Sequence, residues 1–195
     1  MEHLGPNLLP ADGEVYYVPG LLDNKRADAC FDQLLASVSW KQESIKIFGR
    51  EIMQPRLTAW YGDKAYTYSG LTMQPASWIQ PLFEIKAIAD SYARFTSSSA
   101  LLNLYRNERD SMGWHRDNEK TLGPQPVIAS VSLGAARKFE LRRYDTQKPV
   151  ISLVLEHGSL LIMRGESQKY WEHRLPKLST PVDARINITF RQILS

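Results

Sequence analysis

The sequence predicts an α+β fold with helices in its first half and an antiparallel, jelly-roll-like β-core in its second half. Three observations support this prediction. Two segments before residue 95 carry apolar side chains at helical spacing, several short segments after residue 100 have strand character, and turn residues separate those strands. Short strands connected by turns are typical of β-sandwiches and barrels.

The two predicted helices differ in how they begin. The first follows Asp23, a residue type that commonly caps helix N-termini. The second lies near residues 78–94, where Pro81 is tolerated in the first turn. Both carry apolar stripes that we interpret as core-facing. These stripes are Ala27, Phe31, Leu34, Leu35 and Val38 in the first helix, and Trp78, Leu82, Ile85, Ala89 and Tyr92 in the second.

The predicted strands are of two kinds. Some segments alternate apolar and polar residues, which indicates strands with two different faces, and others are apolar runs that indicate buried strands. The alternating segments are 100–106, 137–143 and 185–191, and the apolar runs are 127–133, 150–155 and 159–163.

Composition limits the class of protein. A hydrophobic fraction of 43% and a charged fraction of 23% exclude a disordered chain, a collagen and a coiled coil. The only cysteine, Cys30, excludes an intrachain disulfide and a cysteine-based zinc site, and it fits a reducing compartment. No secretory signal or long apolar stretch is visible, so we expect a soluble cytoplasmic protein that does not enter membranes.

A histidine and a carboxylate lie two residues apart at His115 and Asp117. In an extended segment such side chains point the same way, and a distant histidine would complete the facial triad of non-haem iron oxygenases. Alone, this pair is weak evidence, because a surface histidine beside an aspartate is common. His173 and His157 are both candidates for the third ligand. We favour His173, because His157 lies in a turn, where a histidine commonly makes local hydrogen bonds.

Segment 185–191 has an unusual polar face. Alternation groups Arg185, Asn187, Thr189 and Arg191 opposite the apolar residues of the same strand. This face belongs either to a solvated edge strand or to a carboxylate-binding site, since the planar guanidinium matches a carboxylate. In segment 100–106, Asn103 and Tyr105 likewise share a face.

Several ordered motifs resemble AlkB-type Fe(II)/2-oxoglutarate-dependent dioxygenases, which repair alkylated nucleic-acid bases. The motifs are NLYRNERDSMGWHRDNE, PVIASVSLGAARKFELR, LEHGSLLIMRGESQKYWEHRLP and RINITFR. The resemblance implies one dioxygenase domain over residues 1–195, with a double-stranded β-helix core over about 100–195. It also implies Fe(II), 2-oxoglutarate and O₂ as cofactors and cosubstrates.

Transferred to this chain, the family motifs imply roles for particular residues. His115, Asp117 and His173 would ligate Fe(II). The cosubstrate would be bound by Asn103, Tyr105, Arg185, Asn187 and Arg191.

A lid over about residues 45–70 is implied by the stretch PRLTAWYGDKAYTYSG. There Tyr68 would stack on the target base and Tyr66 would contact the backbone, while Arg56 would meet the nucleic acid or close the pocket. Phe48 matches a wedge position of duplex-acting relatives, and Glu119 matches a position that contacts the exocyclic amine. Asn118 departs from the family pattern, where an acid is frequent.

The implied activity is oxidative demethylation of N1-methyladenine and N3-methylcytosine, with DNA as the expected substrate, RNA as an alternative and a monomeric enzyme. The net charge of +3 permits phosphate contacts. Candidates are Arg109, Arg116, Lys120, Arg137, Lys138, Arg142 and Arg143. Two alternatives remain: a hydroxylase of a protein or small molecule on the same fold, and a metal-free β-sandwich binding module.

Overall fold

A computed structural model describes residues 4–47, 50–68 and 71–194. The helices are α1 (Asn24–Ser37), α2 (Gln80–Ala93) and the short α3 (Ser167–Tyr170), with a 3-10 turn at Lys120–Leu122. The strands are β1 (Glu14–Val18), β2 (Ser44–Ile47), β3 (Arg50–Met53), β4 (Leu57–Gly62), β5 (Tyr66–Tyr68), β6 (Leu71–Met73), β7 (Ser99–Tyr105), β8 (Met112–His115), β9 (Ile128–Gly134), β10 (Arg137–Arg143), β11 (Val150–Leu155), β12 (Ser159–Arg164), β13 (Trp171–Leu175) and β14 (Arg185–Arg191).

Two antiparallel sheets form the core. The six-stranded sheet has the order β1-β12-β9-β14-β7-β4, and the four-stranded sheet has the order β11-β10-β13-β8. From β7 onward the chain crosses repeatedly between the two sheets, which is the winding of a jelly roll. The predicted fold class, a double-stranded β-helix core with N-terminal helices on one side, is therefore confirmed.

The six-stranded sheet is buried on both faces. One face packs against α1 and α2 through a large apolar cluster that includes Leu34, Leu82 and Ile188. The other face packs against the four-stranded sheet through a second cluster that includes Ile128, Leu141 and Trp171. The molecule is thus layered as helices, six-stranded sheet and four-stranded sheet.

The start of α1 follows the predicted pattern, but its stripe is narrower than predicted. The Asp23 side chain accepts a hydrogen bond from the Arg26 backbone N–H at 2.9 Å, as expected of an N-cap. Leu34 is fully buried, whereas Leu35 is 41% exposed, so its assignment to the core stripe is wrong. Successive helix residues are rotated by about 100°, and the next residue after a core position therefore points away.

A buried arginine connects β10 to two neighbouring loops. Arg137 of β10 is 1% exposed and donates hydrogen bonds to the carbonyl oxygens of Asp110 and Pro176, at 2.9 and 2.8 Å. The prediction that Arg137 contacts phosphate is therefore wrong, because its side chain is buried. The guanidinium instead satisfies loop carbonyls that would otherwise be buried without partners.

Two small hairpins, β2–β3 and β5–β6, lie in the region where the lid is predicted. Phe48 lies outside the described residues, and so do the side chains of Tyr66 and Tyr68. Within the described ranges, every helix is too short or too polar to cross a membrane.

Candidate metal and cosubstrate site

A cavity of about 310 Å³ lies between the two sheets. Its wall is built from strands of both sheets and from Ile45 of β2. It contains all the predicted metal and cosubstrate residues: His115, Asp117, His173, Asn103, Tyr105, Arg185, Asn187 and Arg191. Arg56 and Glu119 also line it.

Strand pairing brings the predicted metal ligands together. In the four-stranded sheet His173 of β13 lies directly opposite His115 of the edge strand β8, with ring centroids 4.1 Å apart. Asp117 follows β8, and ligand atoms of the three residues all lie within 4.8 Å of one another. Two imidazoles and one carboxylate at this separation fit a divalent iron ion.

The two histidines are prepared to act as neutral ligands. The Nδ1 atom of His115 lies 2.9 Å from the Gly113 carbonyl oxygen, so the ring proton belongs on Nδ1 and Nε2 keeps its lone pair. Burial, together with the neighbouring His115, lowers the pKa of His173 to about 3. Neutral rings bind a metal without first losing a proton.

Asp117 is buried and held by two contacts. Its Oδ2 atom accepts a hydrogen bond from Arg191 at 2.9 Å, and its backbone N–H donates to Oε1 of Gln168 at 2.9 Å. Burial would raise the pKa of Asp117, but the adjacent Arg191 guanidinium helps to bring it below its ordinary value. The carboxylate is therefore charged at neutral pH, as a metal ligand must be.

The opposite wall of the cavity can bind an anion. In the six-stranded sheet Arg185 lies directly opposite Tyr105, and Asn187 lies directly opposite Asn103. Arg185 donates to Ser132 Oγ at 2.8 Å, while its buried Nε has no hydrogen-bond partner among the described residues. An unused guanidinium donor in a buried site is costly unless an acceptor fills it, and a carboxylate is such an acceptor.

β14 is a central strand, between β9 and β7, and this position excludes the solvated edge strand considered above. Ile186, Ile188 and Phe190 face the helices, and the polar residues of the strand face the cavity. Burial lowers the pKa of Arg185 to about 10, but the guanidinium still carries its charge at neutral pH. The cavity is therefore positively charged where a dicarboxylate would bind.

Arg56 is buried rather than exposed to solvent. It is 3% exposed and donates through Nε to Asn103 Oδ1 at 2.8 Å. Of the two roles considered for it, this position favours closing the pocket.

His157 lies away from the cavity. Its Nδ1 atom accepts the Gly134 backbone N–H at 2.8 Å, and its Nε2 lies 3.2 Å from Asp28. Both partners are distant in sequence, in β9 and α1, so His157 connects its turn to these elements instead of making the local hydrogen bond predicted for it.

Sequence analysis missed several residues at the site. Ser130 and Ser132 of β9 accept hydrogen bonds from Asn187 and Arg185, at 2.7 and 2.8 Å. Their alternation within an otherwise apolar run was a usable signal. Gln168 and Phe139, whose ring stacks on that of His173 at 5.5 Å, had no comparable signal.

Comparisons with known proteins agree with this geometry. Residues 14–191 match the 2OG-Fe(II) oxygenase superfamily. The chain is 44% identical over 184 residues to the alpha-ketoglutarate-dependent dioxygenase alkB homolog 3 of Bos taurus, covering 90% of this chain and 64% of that protein. It is 43% identical to the Homo sapiens protein of the same name, with the same coverage. The chain thus spans just under two thirds of the length of these relatives.

A second relative and a solved structure extend the comparison. The chain is 37% identical to DNA oxidative demethylase ALKBH2 of Homo sapiens, over 89% of this chain and 71% of that protein. The solved structure of OsALKBH1 superimposes with a TM-score of 0.65, at 16% identity, covering 91% of this chain and 97% of that one. At that identity the superposition supports the fold alone.

Proposed function

Because the chain belongs to the 2OG-Fe(II) oxygenase superfamily, we propose that it is an Fe(II)- and 2-oxoglutarate-dependent dioxygenase that demethylates alkylated nucleic-acid bases. The single observation that carries the proposal is the meeting, in one buried cavity, of a His-Asp-His cluster and an arginine suited to a carboxylate. The relative named as a DNA oxidative demethylase supports the choice of substrate class.

The metal would be held by His115, Asp117 and His173, whose neutral imidazoles and charged carboxylate suit Fe(II). Once bound, Fe(II), 2-oxoglutarate and O₂ supply the oxidation of an N-methyl group, with formaldehyde, succinate and CO₂ as products. The chain's own contribution is to orient these groups and to keep bulk water out of a largely buried cavity.

The cosubstrate would be held by the polar face of the six-stranded sheet. Arg185 is the group for its distal carboxylate, because a guanidinium donor is available there in a buried position. Tyr105 lies opposite Arg185, and Asn103 and Asn187 lie one step further along the same strands. Arg191, bound to Asp117, would couple the cosubstrate side of the cavity to the metal side.

The target base would be selected by charge and stacking. N1-methyladenine and N3-methylcytosine are cationic, so a carboxylate at the cavity wall favours them over the neutral bases, and Glu119, which lines the cavity, would act in this way. Tyr68 would stack on the base, Tyr66 would contact the backbone, Phe48 would act as a wedge and Arg56 would close the pocket. A base in a duplex would first leave the stack to reach the metal.

The finer parts of the proposal concern organisation and substrate. We propose one dioxygenase domain over residues 1–195, with a lid over about 45–70 and the catalytic core over about 100–195. We further propose DNA as the substrate, with RNA as the alternative, and a monomeric cytoplasmic enzyme. The relative named as a DNA demethylase supports DNA, and the single buried Cys30 suits a reducing compartment.

The test is a demethylation assay read by mass spectrometry. The protein is incubated with Fe(II), ascorbate, 2-oxoglutarate and oligonucleotides carrying N1-methyladenine or N3-methylcytosine, in DNA and RNA, single- and double-stranded. We expect each modified base to lose the mass of one CH₂ group, with equimolar succinate, and we expect a chelator to abolish both. Succinate formation without mass change would favour a hydroxylase with another substrate, and neither product from iron-loaded protein would overturn the proposal.

A further inference from the structure

The solvent-facing side of the four-stranded sheet carries an organised set of charges. Alternation along β10 and β13 directs Phe139, Leu141 and His173 inward, so the neighbouring polar residues point outward. We call the following residues the outer basic face: Trp114, Lys138, Glu140, Arg142, Glu172 and Arg174.

Positive charge is outermost on this face. Arg142 pairs with Glu172 at 2.6 Å, and Glu140 receives both Arg174 at 2.6 Å and Lys138 at 2.5 Å. The side chains of Glu140 and Glu172 are 6% and 10% exposed, whereas those of Lys138, Arg142 and Arg174 are 49%, 20% and 38% exposed. The two carboxylates thus lie beneath the three cationic side chains, and the face carries a net positive charge.

Trp114 holds the two guanidinium groups in place. The guanidinium carbons of Arg142 and Arg174 lie 4.0 and 4.5 Å from the centre of its ring. Each arginine uses Nε for its carboxylate, and the hydrogen bonds among the described residues leave the terminal amino groups of both arginines unused. Positioned guanidinium groups with free N–H atoms suit phosphate oxygens, which accept two such bonds at once.

The outer basic face is continuous with the cavity. Trp114 lies on the edge strand β8 and lines the cavity together with Arg116. The Arg116 guanidinium lies 3.7 Å from the ring centre of Tyr144, whose exposed fraction is 52%. Cationic and aromatic groups therefore extend from the cavity wall around the sheet edge to its outer surface.

We propose that the outer basic face binds backbone phosphates of the nucleic-acid strand whose target base enters the cavity. This inference rests on the proposed function. A cavity of about 310 Å³ admits a base but not the strand, so the flanking nucleotides must cross its rim. Half or more of protein–DNA hydrogen bonds go to phosphate and sugar, and they set the register of the strand without reading its sequence.

The test compares single substitutions that leave the buried carboxylates paired. Lys138→Gln leaves Glu140 with Arg174, and Arg174→Gln leaves it with Lys138. Arg174→Lys keeps the charge and loses the planar fork. The matched control is Arg164→Gln, because Arg164 also pairs with a glutamate, Glu14 at 2.7 Å, and also stacks on an aromatic ring, but belongs to β12 of the six-stranded sheet and not to the outer basic face.

Binding is measured by fluorescence anisotropy of a short single-stranded DNA oligonucleotide carrying N1-methyladenine, over a series of salt concentrations. We expect Arg174→Gln to weaken binding about tenfold and to reduce the salt-dependence slope by about 0.7, as for one lost phosphate contact on a single strand. Lys138→Gln should act in the same direction, Arg174→Lys should be intermediate, and Arg164→Gln should match the wild type.

Two controls separate the possible failures. Melting temperatures establish that every variant is folded, and succinate formation without nucleic acid should be the same in all variants, since none of these residues lies in the metal or cosubstrate site. The proposed role of the outer basic face would be overturned if all variants bound the oligonucleotide with the same affinity and salt-dependence slope. It would also be overturned if Arg164→Gln lost as much affinity as Arg174→Gln. If the wild type demethylates the oligonucleotide and all variants have the same KM for it, only this inference fails. If the variants weaken binding as expected but the wild type does not demethylate the oligonucleotide, the proposed reaction fails instead.

Discussion

The two sheets contribute different chemistry to the same cavity. The six-stranded sheet, covered by helices, supplies the anion-binding side chains from the central strands β7 and β14. The four-stranded sheet, with one face toward solvent, supplies both histidines from the edge strand β8 and its neighbour β13. The strands that carry the anion-binding side chains in the six-stranded sheet are therefore hydrogen-bonded on both sides, whereas β8, which carries His115, is hydrogen-bonded on one side only.

This difference indicates that the donors for the cosubstrate are held more rigidly than the metal ligands. A buried dicarboxylate site needs fixed donors, and central strands with apolar residues on their other face provide them. The metal side depends more on contacts that tie β8 and the following loop to the rest of the molecule, chiefly those of Gln168 and Arg191 to Asp117. Substitutions in the two sheets should consequently affect different measured quantities.

The largest expected effect is on the metal side. His173→Ala should abolish metal-dependent succinate formation and metal binding, because it removes one of three ligands. His157→Ala should retain both and lower the free energy of unfolding by about 1 kcal/mol, through loss of its bond from Gly134. Calorimetric titration with Mn²⁺ and thermal unfolding measure the two effects. Loss of metal binding in His157→Ala alone would reverse the ligand assignment.

A large effect confined to the cosubstrate is expected on the other sheet. Arg185→Lys keeps a positive charge but loses the planar fork, so the KM for 2-oxoglutarate should rise about tenfold or more while Mn²⁺ affinity is unchanged. Inhibition by 2-oxobutyrate, which lacks the distal carboxylate, serves as the control and should be equal in both proteins. An equal loss of 2-oxobutyrate inhibition would contradict the assignment of Arg185 to that carboxylate.

An intermediate effect should arise from the support of Asp117. Gln168→Leu removes the acceptor for the buried Asp117 N–H, so we expect metal affinity to fall by about 10- to 100-fold. Gln168→Glu retains an acceptor oxygen and should lose less. Co²⁺ titration followed by absorbance measures both affinities. Wild-type affinity in Gln168→Leu would show that the Gln168 contact is not needed to position Asp117.

The smallest effect concerns the loop that joins the two sheets. Arg106 donates to both carboxylate oxygens of Asp110. Burial would raise the pKa of Asp110, but the hydrogen bonds and the positive charge of Arg106 together lower it. A lowered folded-state pKa means that the stabilisation is present above the unfolded-state value of about 3.9 and is lost as pH falls through the folded-state value. Asp110→Asn should therefore cost about 1 kcal/mol at pH 7 and progressively less below pH 4.

Chemical denaturation of both proteins at several pH values checks this prediction. A difference that stays constant from pH 7 to pH 3 would assign the effect to packing rather than to charge. Mn²⁺ affinity at pH 7 should not differ between the two proteins, since Asp110 does not line the cavity.

Local sequence patterns predicted the extent of β14 and the start of α1, because strand alternation and helix capping both depend on residues that are close in sequence. Alternation in 185–191 separates the cavity face of that strand from its helix face, and Asp23 caps its own helix. The strand β13 was not recognised, although Trp171, His173 and Leu175 alternate, since it is short and interrupted by charges. The narrower stripe of α1 likewise required knowledge of where the sheet lies.

The sequence alone identified the fold class, the His-x-Asp pair and the polar face of β14, because side-chain periodicity is a property of consecutive residues. It left His157 and His173 as competing ligands, and the contacts of Gln168, Arg137 and Trp114 had no sequence signal. Those contacts depend on which strands pair and in what register. Pairing joins residues far apart in the chain, and a shift by one residue would turn each side chain to the opposite face of the sheet.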